Sequence, residues 1–132
     1  MKPTPLFVYG TLKCGYPNHF YLSSAHFIGS ATTTGLYGFY QGPDPHEPEA
    51  PLIPYLLAKP TPGNCPVHVH GEVWEVGHST LTQLDQLEGH PKWYQRKKIT
   101  VRLDSGNSVR AFAYFLTEEP KDTLRPIESG HF

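Results

Sequence analysis

Glu88 is the residue in this sequence best placed to move a proton. It closes the run Gln83-Leu84-Asp85-Gln86-Leu87-Glu88, which Gly89-His90-Pro91 follows at once. Leu81, Leu84 and Leu87 recur at the three-residue spacing of an inward helical stripe, and Ser79 can cap that helix. Glu88 comes four residues after Leu84 and seven after Leu81. At about 100° per residue it therefore points close to the stripe rather than to water. Gly89 suits the left-handed residue that ends a helix, and Pro91 forbids continuation. The acid is thus placed in the last turn, where the negative end of the helix dipole and desolvation both disfavour ionisation and raise its pKa. A carboxyl group nearer neutrality can take a proton and hand it back, the requirement for a general acid/base. The competing reading is a solvated helix-end acid paired with Lys92 or Arg96.

Two other clusters could carry chemistry. Tyr9-Gly10-Thr11-Leu12 directly follows a short apolar run, so successive backbone N–H groups can turn inward to form a concavity that receives an anion; a plain strand-ending turn explains the same residues. Only Lys13 stands nearby and no arginine, which suits a carboxylate better than a phosphate. His68, His70 and Glu72 share one face of a strand and are ligand types for zinc, iron or manganese. A further imidazole would have to come from a later strand, and neither later strand contains a histidine. Nucleophilic catalysis by a Ser/His/Asp or Cys/His system is poorly supported: there is no Gly-x-Ser-x-Gly elbow, and Cys14 has no base that the sequence identifies.

The elements that must position these residues are mostly short strands. Leu6 to Tyr9 reads as a buried first strand feeding a loop from Gly10 to Gly15. Pro17 can open a short helix through Leu22. A second strand is expected from Phe27 to near Gly35, a surface loop without structure from Gly42 to Pro51, and an edge or bulged strand at Leu52 to Ala58, where Pro54 lies. Val67 to Val76 alternates and predicts a strand; Lys98 to Leu103 and Val109 to Leu116 predict two more, joined by Asp104-Ser105-Gly106-Asn107. From Glu118 to Phe132 the chain reads as an irregular tail. The expected class is α+β: a small mixed β-barrel of five to seven strands with one or two helices packed against it, residues 1–132 forming a single domain with 120–132 irregular.

Bulk properties narrow the function. The 132 residues suffice for one hydrophobic core, and a net charge of −1 without a basic cluster beyond Arg96-Lys97-Lys98 gives no nucleic-acid footprint. No run approaches the roughly 18 apolar residues that span a bilayer, and no signal core follows Met1, so a soluble cytoplasmic protein is expected. Cys14 and Cys65 are expected as free thiols.

Phe7-Val8-Tyr9-Gly10-Thr11-Leu12-Lys13, then Leu84-Asp85-Gln86-Leu87-Glu88 with Tyr94-Gln95-Arg96, resemble the opening loop and catalytic helix exit of the γ-glutamylcyclotransferase-like superfamily. Gly15-Tyr16-Pro17-Asn18-His19 resembles its γ-glutamylamine cyclotransferase branch, and Gly71 to Val76 the strand before the helix. The resemblance runs from residue 6 to about 116. It implies an enzyme that converts a γ-glutamylamine to 5-oxoproline and a free amine, with Glu88 as catalytic acid/base and no cofactor or metal. Tyr9, Gly10, Thr11 and Leu12 would hold the substrate's α-carboxylate, and Tyr94 and Tyr114 would be pocket tyrosines. The partner is then a small γ-glutamyl molecule, with no nucleic acid or membrane, and the chain is expected as a monomer. Two alternatives stay open: a non-catalytic binder of small carboxylates on the same fold, and a metal-binding β-barrel protein using His68 and His70.

Overall fold

A computed structural model describes residues 3–16, 18–44, 49, 51–117 and 124–132. Strand β1 (Thr4–Val8) has Leu6 and Val8 packed on one side and Phe7 on the other. Burial on both faces is why this stretch reads as a continuous apolar run rather than an alternation. A 3₁₀ turn (His19–Leu22) follows, then β2 (His26–Thr33), β3 (Gly38–Gly42), β4 (Ile53–Leu57), β5 (His70–Val76), the α-helix α1 (His78–Glu88), β6 (Tyr94–Leu103), β7 (Ser108–Leu116) and β8 (Arg125–Pro126).

Five strands close into a barrel in the order β1-β5-β2-β6-β7. Closure is made by a parallel contact between β1 and β7, Leu6 opposite Phe112, while the other neighbours run antiparallel. A second sheet, β4-β3-β8, lies outside the ring. This is the expected α+β class, a small mixed barrel with one helix. The barrel interior holds Phe7, Val69, Val73, Val101, Ala111 and Ala113, the alanines of β7 leaving room for larger chains opposite. A second apolar layer, including Leu22, Val76, Leu81, Leu84, Tyr94 and Tyr114, seats α1. Among the described residues no helix is long and apolar enough to cross a membrane.

Several boundaries differ from the sequence reading. Strand β1 ends one residue earlier, releasing Tyr9 into the loop, and β2 starts and stops earlier than Phe27 to Gly35. Gly38–Gly42 is a strand that glycines at both ends disguise, and the tail contributes β8, pairing Tyr40 with Pro126. Helix α1 is capped by Gly77 in extended conformation rather than by Ser79, which falls inside the first turn. Leu87 is 36% exposed, because at the helix exit its side faces a cavity rather than the core. Pro54 sits on β4, an edge strand, as its missing N–H requires. Pro17 as a helix opener, Pro45 and Pro48 in the expected loop, and the start of the tail at Glu118 lie outside the described residues.

Candidate active site

The loop after β1 is held with its carbonyls occupied. The Gly10 carbonyl accepts from Lys13 N at 3.0 Å, the Thr11 carbonyl from Asn18 N at 2.9 Å, and the Leu12 carbonyl from His19 Nδ1 at 2.9 Å. Asn18 Nδ2 adds a bond of 2.9 Å to Thr11 Oγ1. A trans peptide points its C=O and the following N–H in opposite directions, so the N–H groups of Thr11 and Leu12 each point away from the bonded carbonyl of the same peptide, that of Gly10 or Thr11. Among the described residues, the N–H groups of Gly10, Thr11 and Leu12 have no protein acceptor. Gly10 also lies where a Cβ would come within 2.5 Å of Pro54 Cγ, so only glycine fits between loop and β4.

Helix α1 delivers Glu88 to the same place. Gly89 ends the helix at φ +67°, and the N–H of His90 bonds back to the Asp85 carbonyl at 2.8 Å, a left-handed exit that fixes the last turn. Glu88, Tyr9, Gly10, Thr11, Leu12, Tyr94 and Tyr114 all line one cavity of about 320 Å³, a size for a small molecule. Crowding by protein, and secondarily the charge of Asp44 on the same cavity wall, push the Glu88 carboxyl from 4.5 up to about 7. Among the described residues no group hydrogen-bonds to it.

Asp85, three residues earlier on the helix, behaves oppositely. Arg96 holds it with a fork, Nε to Oδ1 at 2.6 Å and Nη2 to Oδ2 at 3.0 Å, and the Tyr114 hydroxyl donates to Oδ1 at 2.7 Å. Burial alone would raise its pKa; these bonds and the guanidinium charge outweigh burial and hold it below the ordinary 3.8. Arg96 and Tyr114 face each other across β6 and β7, so the fork pins the helix exit to the barrel wall. The sequence reading had offered Arg96 as a partner for Glu88; the fork goes to Asp85. The chain continues from the Tyr114 carbonyl, which accepts the buried Tyr9 hydroxyl at 2.6 Å. Burial, then the nearby Glu88, raises the pKa of the Tyr9 hydroxyl, so it stays protonated as a donor. Tyr94 is raised for the same leading reason and stacks on Tyr55.

Asp85, Asp44, Asn18 and the apolar wall of Ile53, Pro54, Leu87 and Trp93 are parts of the cavity surroundings that sequence reasoning did not assign. The i, i+3 spacing of Asp85 and Glu88 put both on one helix face and was legible; Asp44, in an aperiodic proline-rich stretch, gave no signal.

The histidine cluster is used differently from a ligand set. His68 Nδ1 meets the Thr33 carbonyl, His70 Nδ1 meets Thr32 Oγ1, and Glu72 turns away to accept from Cys14 N and Trp74 Nε1. Among the described residues no group of three histidine, cysteine or acidic side chains could hold a metal ion. Lys13 also leaves the cavity, its Nζ donating to the Phe132 main-chain oxygen at 2.8 Å.

The profile of the family described as gamma-glutamyl cyclotransferase, AIG2-like, matches residues 6–132. A protein of Methanocaldococcus jannaschii, provisionally named a gamma-glutamylcyclotransferase, is 40% identical over 128 residues, covering 96% of this chain and 93% of its own. The gamma-glutamylaminecyclotransferase of Rattus norvegicus is 36% identical over 121 residues, covering 83% and 75%. The crystal structure of an AIG2-like protein from Mus musculus superposes with a TM-score of 0.71 at 32% identity, covering 92% of this chain and 82% of that one. With a match across nearly its whole length, this chain belongs to the AIG2-like gamma-glutamyl cyclotransferase family.

Proposed function

We propose that the protein converts a γ-glutamylamine to 5-oxoproline and a free amine, with Glu88 as general acid/base. The observation that carries this reading is one cavity lined both by Gly10, Thr11 and Leu12, whose main-chain N–H groups have no acceptor among the described residues, and by a carboxyl raised to about 7. The N–H groups of Gly10, Thr11 and Leu12 suit the substrate's α-carboxylate. The α-nitrogen then attacks the γ-carbonyl of the same molecule. Nucleophile and electrophile are already joined, so the protein's main task is to hold a folded conformer, an effect worth roughly 7–11 kcal/mol in favourable cases.

Ionised Glu88 takes a proton from the α-ammonium, the freed amine closes the five-membered ring, and the C–N bond to the departing amine breaks as Glu88 protonates that nitrogen. Over the full reaction the α-nitrogen, first an ammonium, loses two protons and the departing nitrogen gains two. No water or cofactor enters the balance. Asp85 cannot substitute, because the Arg96 fork keeps it ionised.

A simple amine fits better than a peptide as leaving group. Leu87, Trp93, Ile53 and Pro54 offer apolar surface for an alkyl chain, and the described cavity lining includes Asp44 but no lysine or arginine to meet a second carboxylate. The relative from rat carries the corresponding name. Purified protein incubated with γ-glutamyl alkylamines, γ-glutamyl dipeptides and glutathione should release 5-oxoproline fastest from the alkylamines. Thermal stabilisation by these compounds without product would instead support a carboxylate-binding protein.

A further inference from the structure

Within the motif Gly15 to His19, Asn18 and His19 brace the loop, and the Asn18 side chain also reaches the cavity. Asn18 lines the cavity wall beside Thr11, half-buried, and is tied to that residue twice, through its main-chain N–H and through Nδ2. The Nδ2 bond to Thr11 Oγ1 fixes the rotation of the amide. That leaves Oδ1, an acceptor with no protein partner among the described residues, on a side chain that cannot swing away.

The substrate's α-carbon carries both a carboxylate and an ammonium. Whatever receives the ammonium must therefore stand next to whatever receives the carboxylate, and Asn18 is bonded directly to the loop whose N–H groups receive the carboxylate. We infer that Asn18 Oδ1 accepts a hydrogen bond from the substrate's α-ammonium, making Asn18 the residue that selects amides bearing a free α-amine and aims that nitrogen at the γ-carbonyl. The inference rests on the cyclotransferase reading and deepens it. An ammonium has three N–H donors: one meets Asn18, one is surrendered to Glu88, and the lone pair so released is aimed by the bond that remains. A neutral acceptor suits this task. It orients the nitrogen and leaves the proton to Glu88.

Two ligands separate this role from mere bracing of the loop: a γ-glutamyl alkylamine as substrate, and the glutaric acid monoamide of the same amine, which lacks the α-amino group and can only inhibit. In Asn18→Leu, kcat/KM for the substrate should fall roughly 10- to 100-fold, the range for losing a hydrogen bond to a charged group, while the inhibition constant of the deamino analogue changes by less than about 3-fold. Asn18→Asp keeps an acceptor that the Thr11 hydroxyl can still brace, so it should retain more activity than Asn18→Leu. The inference is overturned if the deamino analogue weakens as much as the substrate in Asn18→Leu, or if Asn18→Asp is no better than Asn18→Leu. Failure of the underlying reading looks different: wild-type protein then yields no 5-oxoproline from the substrate, and both ideas fall together.

Discussion

Asp85 and Glu88 are two carboxyl groups less than one helical turn apart, and their surroundings drive their pKa values in opposite directions. That divergence separates an acid held ionised by its partners from one able to exchange a proton near neutrality. With Glu88 as the proposed base, which must be ionised to accept the first proton, kcat/KM should rise with pH up to about 7 and then level, and a profile flat from pH 5 to 8 would remove Glu88 from that role. The same shift is a statement about stability. A folded pKa above the unfolded one means that the folded state binds the proton more tightly, so wild-type stability declines as pH rises from about 4.5 to about 7. Glu88→Gln has no such penalty. Its stability relative to wild type should grow across that window, by an amount on the order of 3 kcal/mol, readable by urea unfolding at pH 5 and pH 8.

At the scale of elements, two joints place the site: the Asp85–Arg96 fork between α1 and β6, and the contact of Gly10 with Pro54 between the loop and β4. Asp85→Asn breaks the fork and leaves a half-buried guanidinium without its counter-charge, which should lower stability at pH 7 by about 1–3 kcal/mol. Asp85 is depressed in the folded state, so its contribution is complete above the unfolded value near 3.8 and fades as pH falls through the folded pKa. The Tm gap between variant and wild type should accordingly close in strong acid. Gly10→Ala drives a methyl into the Pro54 ring, which has little freedom to move aside; a loss of about 1–3 kcal/mol is expected, with reduced turnover because the loop must shift. The helix exit was legible because Gly89 and Pro91 are strong stop signals and the leucine spacing fixes a face. The helix start was not, since a side-chain cap was expected where the main chain of Gly77 serves instead.

For the molecule as a whole, sequence patterning identified the barrel class because strands buried on one or two faces leave alternating or continuous apolar runs, as at Leu6 to Val8 and His70 to Val76. What stayed hidden depends on contacts distant in sequence. Nothing local marks Arg125–Pro126 as a strand; it exists because β3 offers an open edge. Ile127 then enters the barrel core at 8% exposure, its N–H bonded to the Phe39 carbonyl. Ile127→Ala should cost roughly 2–5 kcal/mol, far more than a residue in a loose tail, and a Tm unchanged within a degree would show the tail to be unpacked. The Asp85 fork was hidden for a related reason: it joins a helix to a strand that register, not spacing, brings alongside. The proposed chemistry rests on Glu88 and the Tyr9 to Leu12 loop lining one cavity. The rate of 5-oxoproline formation from a γ-glutamyl alkylamine, compared between wild type and Glu88→Gln at pH 8, tests that chemistry most directly. A fall of about 100-fold or more with the fold intact is the predicted result; equal rates in the two proteins would contradict the account.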